Sequence, residues 1–326
     1  MGLVETFEPI PVDAKGRFTL LDRLGGGGAG SVFLARDNAL ERLVGLKVVC
    51  ESGRVEAHKR ARLLREARAI ARVKHDNVIV IYDVGETSAG EVYIAMEHVR
   101  GGTLREIQAH LELEDILDLY IQSARGLGAI HDRNIVHRDF KPENVLIDDA
   151  SNRAVIIDFG LAGIDQTRSA GGGEEPVTRA VGGTPGYIAP EQARGEVTPA
   201  SDQYAFCVAL WEAVTGERPG PGGARSCATP GPPAWLRGIL TRGLSPAPAK
   251  RWPSMNALIQ ELERRRRWLR SWPLLAGVDL EAGTGSREAP FAWAGVVVYR
   301  PEAWRARANM RWSRALTSLL TWVNSS

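Results

Sequence analysis

Cysteine is scarce in this chain. Cys50, Cys207 and Cys227 lie far apart and form no C-x-x-C pair. That spacing excludes a disulfide framework and the usual zinc arrangements, and it points to reduced thiols in a cytoplasmic protein. Long apolar runs are missing too. The longest, 207–211 and 291–299, fall well short of the roughly 20 residues that cross a bilayer, so no membrane span is expected. Charge of one sign is not in excess. Lys and Arg number 41 against 39 Asp and Glu, a net charge of +2, which excludes a global attraction to nucleic acid. No secretory leader is read at the start, where Glu5 and Glu8 interrupt any basic-then-apolar pattern. Met1–Thr6 fits the loose myristoylation pattern, but so short a match carries little weight. Internal repeats are lacking as well. What is present is 326 residues of ordinary soluble composition, enough for one large domain or two lobes around a substantial core.

The first hundred residues read as a small, mostly β unit. Strands are expected at 18–24, 32–35, 43–50, 78–84 and 91–97, with one basic amphipathic helix at 54–73. Gly101-Gly102-Thr103 then breaks the pattern. Helical periodicity follows at 113–131, 201–215 and 254–268. The segment 201–215 is apolar nearly all round, as in a buried helix, and Gly216 is placed to stop it. Residues 218–233, rich in Pro and Gly, read as a loop. Residues 1–15 read as a lead-in, and 266–326 as an Arg/Trp-rich tail in which no structure is assigned from 270 on. A docking module is the other reading of that tail.

Polar side chains crowd into "HRDFKPENVLI" at 137–147, which then turns apolar like a buried strand. A polar cluster held against a core is unfavourable unless its groups are paired or used. A second acid, Asp158, ends the apolar run Ala154–Ile157. Asp139, Asn144 and Asp158 together make a set able to handle a proton and to hold magnesium, which takes a few hard oxygens plus phosphate oxygens. Upstream, "LGGGGAGSVF" contains G-x-G-x-x-G at Gly25, Gly27 and Gly30, where backbone N–H groups can approach phosphate. A strand follows it, not the helix of a dinucleotide-binding fold. In "LVGLKVV", Lys47 sits mid-strand, either as an edge-strand lysine or as a cation aimed at phosphates. In the 54–73 helix, Glu66 lies on or beside the face of Leu63, Ala67 and Ile70. It needs a partner, either Lys47 or, on the surface, Arg62 or Arg65.

Taken in order, Gly25/Gly27/Gly30/Val32, Lys47, Glu66, His137-Arg138-Asp139, Asn144, Asp158-Phe159-Gly160 and Ala189-Pro190-Glu191 resemble the signature of eukaryotic-type protein kinases. The segment "GTPGYIAPEQARG" is similar to the bacterial serine/threonine (Hanks-type) members. The resemblance covers 16–265. It implies an α+β, bilobal protein-kinase fold, with a β-rich N-lobe at 16–99 holding one regulatory helix and a mainly helical C-lobe at 100–265. It implies ATP with Mg²⁺, or alternatively Mn²⁺, and transfer of the γ-phosphoryl group to Ser or Thr of protein substrates. Asp139 would accept the hydroxyl proton, Lys141 would steady the phosphate, and Lys47 would contact phosphates and pair with Glu66. Asn144 and Asp158 would hold the metal. Leu24, Gly25, Gly27, Gly30, Val32, Gly45, Lys47, Met96, Glu97, Val99 and Leu146 would line the nucleotide site, with Met96 as gatekeeper and Glu97–Val99 as hinge. Ile70, Ile81, His137 and Phe159 would stack as the regulatory spine. Thr184 would support the catalytic loop, Asp202 would be buried at the start of the central helix, and Arg251 would pair with Glu191. Arg138 implies control by activation-loop phosphorylation, with Thr178 the first candidate, Thr184 a second site, and Thr167 and Ser169 weaker ones. An N-lobe homodimer is implied as a route to autoactivation.

Three departures stand out. Gly45 replaces the family's Ala, which removes a methyl contact to the nucleotide. His98 replaces the hinge aromatic. The 219–233 stretch leaves no room for the family's longer helical segment. Two other functions stay open: a kinase-fold scaffold with the Trp-rich tail as its surface, and a small-molecule kinase, which "GTPGYIAPE" disfavours.

Overall fold

A computed structural model describes residues 16–27, 30–49, 57–87, 90–158, 183–220 and 231–275. All of its elements fall within one unit, Met1–Leu275. Five strands make an antiparallel sheet: β1 (Phe18–Gly27), β2 (Gly30–Asp37), β3 (Arg42–Val49), β4 (Ile81–Glu86) and β5 (Val92–Met96), in the order β1-β2-β3-β5-β4. β-branched and aromatic residues fit this pleated surface. Phe18, Leu20, Ala35, Val44, Leu46, Val48, Tyr93 and Ala95 pack on one another to form its core. β3 is central, with Lys47 opposite Val32 on β2 and Ile94 on β5. The edge-strand reading of Lys47 therefore falls.

Helix α1 (Ala57–Ile70) lies between β3 and β4 in sequence and turns Leu63, Ala67 and Ile70 inward. The expected strand at 78–84 begins later, at Ile81. Val78 instead leaves the sheet and forms a parallel bridge to Ile156, far along the chain, with Ile79 N donating to the Ile156 carbonyl and Ile156 N to the Asn77 carbonyl. Those bonds satisfy the backbone there, so the pairing partner and not the apolar run sets where β4 starts.

The rest is mainly helical. A short α2 (Leu104–Ile107), not expected from periodicity, is capped by Thr103, whose hydroxyl accepts from Glu106 N while the Glu106 carboxylate accepts from Thr103 N. Next come α3 (Leu113–His131), the hairpin of β6 (Val145–Asp148) and β7 (Arg153–Ile156), α4 (Pro199–Thr215), α5 (Ala234–Gly243) and α6 (Met255–Leu275). α3 matches its expected span. α4 is buried from Ala205 to Trp211 and stops at Gly216, whose N–H bonds the Glu212 carbonyl. α5 was missed because only Trp235, Leu236, Ile239 and Leu240 carry its apolar stripe, next to a Pro/Gly run. α6 continues past the expected end at 268, so residues 266–275, expected in the tail, are helical. The Arg266 guanidinium binds Asp118 on α3 and ties this last stretch down. Among the described residues no helix is long and apolar enough to cross a membrane.

Candidate active site

The catalytic loop is fixed from below. Asp202, in the first turn of α4, is 1% exposed. Its carboxylate accepts the backbone N–H groups of His137 and Arg138, both at 2.8 Å, and contacts His131 Nε2 at 2.8 Å. Two of these bonds hold the backbone leading into Arg138, whose φ of +71° lies in the left-handed region. Such a backbone costs about 1–3 kcal/mol and persists only when its surroundings over-determine it. Gln192 Nε2 adds a bond to the Arg138 carbonyl at 2.7 Å. The buried His137 ring touches the Ile157 carbonyl through Nε2 at 3.1 Å and meets Phe140 edge to face. Ile70 belongs to the large core that includes Phe140, and the partly buried Ile81 packs against that core.

On that base the predicted residues converge. Thr184 Oγ1 donates to Asp139 Oδ1 at 2.8 Å and accepts from Lys141 Nζ at 2.6 Å. Lys141 Nζ also lies 3.1 Å from Asp139 Oδ2. Asn144 Nδ2 donates to the Asp139 carbonyl at 2.8 Å and to its Oδ2 at 3.3 Å. One carboxylate thus has its orientation fixed by three side chains while about a fifth of it, 22%, stays exposed. That is the geometry of a general base with an open approach. The Thr184 hydroxyl is thus used twice, between Asp139 and Lys141.

The phosphate side is more sparsely built. Lys47, almost wholly buried, pairs with Asp158, whose side chain is 38% exposed and whose φ is +53°. Glu66 is half-buried on α1. Gly25 and Gly27 end β1, and Gly27 pairs with Gly30 at the turn. Gly30 is obligatory: its φ is +122°, and a Cβ there would lie 2.3 Å from the Val48 carbonyl oxygen. Leu24 is half exposed at 51%, and Val32 stands opposite Lys47. Gly45 pairs with Met96, and an added methyl would meet Met96 Cγ at 3.3 Å. Met96 therefore crowds the space that a side chain at position 45 would take. In the hinge, Glu97 N bonds the Val80 carbonyl at 2.8 Å, and its carboxylate binds Arg153, which also holds the Asp76 carbonyl. Burial lowers the pKa of His98, as does nearby Arg100. Val99 is buried, and Leu146 sits on β6 bridged to Thr103. Phe159, Gly160, Thr167, Ser169, Thr178 and most of 219–233 lie outside the described residues.

Asn144 and Asp158 fit a small hard cation. With Nδ2 turned to Asp139 and Oδ1 turned to Lys47, each keeps an oxygen free of these contacts. Among the described residues no cluster of three or more His, Cys, Asp or Glu could hold a metal alone. That suits an ion that keeps waters and phosphate oxygens as its other ligands.

The outer frame is a buried pair. Arg251 Nη1 and Nη2 donate to Glu191 Oε1 and Oε2 at 2.6 and 2.8 Å, and Ser201 Oγ adds a third bond at 3.0 Å. Burial pushes the Glu191 carboxyl up, but the bonds from Arg251, backbone and Ser201 outweigh it and hold the carboxyl below its ordinary range. The sequence reading missed a second charge cluster, Arg105, Glu143, Tyr187, Glu212 and Arg218. Only the capping pattern T-x-x-E at Thr103–Glu106 signalled the helix that carries Arg105.

Comparison with known families matches residues 18–229 to the protein kinase domain. The serine/threonine-protein kinase pkn3 of Myxococcus xanthus is 34% identical over 280 residues, covering 77% of this chain and 50% of that protein. The serine/threonine-protein kinase PrkC of Bacillus subtilis is 37% identical over 209 residues, covering 63% of this chain and 31% of that protein. The crystal structure of the Mycobacterium tuberculosis PknI kinase domain superposes with a TM-score of 0.61 at 26% identity, covering 81% of this chain and all of that one. The chain spans half or less of the length of these curated relatives.

Proposed function

Because the chain belongs to the protein kinase domain family, we propose that it is an Mg²⁺- and ATP-dependent serine/threonine protein kinase. The observation that carries this reading is the Asp139–Lys141–Thr184–Asn144 constellation. Lys141 and Thr184 beside the base support Ser/Thr hydroxyls of proteins as acceptors. Asp139 accepts the proton of the attacking hydroxyl as its oxygen bonds to the γ-phosphorus and the bond to the bridging oxygen of ATP breaks. Lys141 holds charge on the transferring group. Lys47, desolvated in the central strand, offers its ammonium to the phosphates and pairs with Glu66 when the site closes. The turn Gly25–Gly30 admits backbone N–H groups to the phosphates, while Gly45, Met96, Glu97, Val99 and Leu146 receive the base. Asn144 and Asp158 would hold a magnesium ion, or manganese on the same oxygens, which would supply charge neutralisation at the phosphates. Most of the acceleration comes from positioning and charge stabilisation.

In this reading the kinase domain is 16–265, divided near residue 100. Thr178 is its autophosphorylation site, with Arg138 as the receiving cation, and pairing of two N-lobes delivers one loop to another active site. The sparse, separated cysteines support a reducing cytoplasm. The test is incubation of the full chain with Mg²⁺ and ATP beside Asp139→Asn, with phosphosites mapped by mass spectrometry. Phosphate on Thr178 in the parent alone is expected. No transfer to the chain or to any protein substrate, with ATP still bound, refutes the reading.

A further inference from the structure

Two carboxylates beside the catalytic loop are closed by two arginines around one phenol. Arg105 on α2 donates from Nε to Glu143 Oε1 at 2.8 Å and from Nη2 to Glu212 Oε2 at 2.9 Å, and it reaches the Tyr187 hydroxyl. Tyr187 in turn donates to Glu212. From the other side, Arg218 donates to Glu212 Oε1 at 3.1 Å and to the Pro185 carbonyl at 3.1 Å, with its guanidinium 4.4 Å from the Tyr187 ring centre. Gly186 is shaped to this cover. Its φ is +94°, and a Cβ would stand 2.3 Å from Arg218 Nη1.

The cluster flanks the base along both chains that hold it. Glu143 precedes Asn144, and Tyr187 follows Thr184 by three positions, so an acceptor segment that brings a hydroxyl to Asp139 runs past it. It is not sealed: Arg105 is 29% exposed, Glu143 42% and Arg218 42%. Burial disfavours charge on both Arg105 and Glu212, but their mutual hydrogen bonds outweigh it, so both remain ionised. Two negative and two positive charges then cancel. Without Arg105, Glu143 has no cation and Glu212 keeps only Arg218 among the described residues. A fork of N–H donors is what such a carboxylate pair binds best.

We infer that Arg105 is a specificity-determining residue: by binding Glu143 and Glu212 itself, it withdraws from protein substrates an acidic pair that would otherwise take an arginine or lysine beside the acceptor hydroxyl. The inference rests on the kinase reading above. The parent enzyme is accordingly indifferent to basic residues passing this face, and loss of Arg105 creates a preference for them.

The experiment measures kcat/KM of the full chain at saturating Mg·ATP for two threonine peptides, one neutral and one with arginines flanking the acceptor. The parent should give a basic-to-neutral ratio within about threefold of one. Arg105→Gln should raise that ratio about two- to fivefold, the scale of one partly exposed ion pair, through a lower KM for the basic peptide and an unchanged KM for ATP. Adding Glu143→Gln should return it toward the parent. Arg105→Lys, a point charge that cannot span both acids, should give a smaller rise and serves if the Gln variant does not fold. An active parent whose ratio is the same in Arg105→Gln or Arg105→Lys, or a parent that already favours the basic peptide strongly, overturns the inference. A parent that phosphorylates neither peptide nor itself overturns the kinase reading, and this inference with it.

Discussion

The catalytic loop and the phosphate-binding strand are held by different means. Asp139 is gripped by Thr184, Lys141 and Asn144, above a backbone pinned to buried Asp202 and framed by the Glu191–Arg251 pair. Among the described residues Lys47 has one ion pair, to an Asp158 that is 38% exposed. The loop is thus assembled before any ligand arrives. The strand side keeps its lysine on a partner that is also a metal ligand in the proposed reaction, so nucleotide and cation must rearrange it. Preorganised groups need no reorganisation during the reaction. In the proposed reaction the contrast places rigidity where the proton moves and adaptability where the nucleotide enters and leaves.

The sharpest way to break that contrast is at the base. Asp139→Asn keeps the shape of the loop and should lower kcat at least about 10²-fold, with little change in melting temperature. An unchanged rate would remove Asp139 from the chemistry. Next is the frame. Arg251→Ala strands the buried Glu191 carboxylate and should destabilise the fold by about 3–5 kcal/mol in denaturant titration, and a loss below about 1 kcal/mol would mean the frame is not needed. Thr184→Ala removes one support of Asp139 and should lower kcat roughly tenfold, with Thr184→Ser near the parent, since one hydrogen bond to a charged group is worth about 1.5–3 kcal/mol at most. Smallest in stability is Lys47→Met. It should abolish phosphoryl transfer yet shift stability by about 1 kcal/mol or less, because its only described partner is partly exposed.

Acid sharpens the same contrast. The Glu191 and Glu212 carboxyls are held below their ordinary values. Their contribution is present above the unfolded-state pKa, near 4.5, and is lost as pH falls through the lower folded-state values. Melting temperature should therefore drop on acidification below about pH 4.5, and Glu191→Gln should flatten that slope. A parallel acid slope in the variant would show that Glu191 does not carry the linkage.

Much of this was legible from residues alone. Lys47 between Leu46 and Val48, and Asp139 in a polar knot ahead of Val145-Leu146-Ile147, announced themselves because each breaks the pattern that local packing would choose. Asp202 and Arg251 were placed only by the resemblance, because a buried charge looks the same in sequence as an exposed one. Arg105, Tyr187, Glu212 and Arg218 went unread as a cluster. Their spacing carries no period, and only the meeting of α2, the catalytic loop, the segment after Thr184 and the end of α4 turns them into one. β4 was misplaced for a related reason: Val78 and Ile79 are apolar enough for a strand, but the backbone of 77–79 pairs with Ile156, through Ile79 N and the Asn77 carbonyl.

Amide hydrogen exchange tests the contrast most directly. The N–H groups of His137 and Arg138, bonded to buried Asp202, should exchange slowly and equally with and without Mg·ATP. Those of Gly30 and Ser31, at the glycine turn, should exchange fast in the free protein and slow on Mg·ATP binding. Fast exchange at His137 and Arg138 that slows only with nucleotide would contradict a catalytic loop assembled in advance.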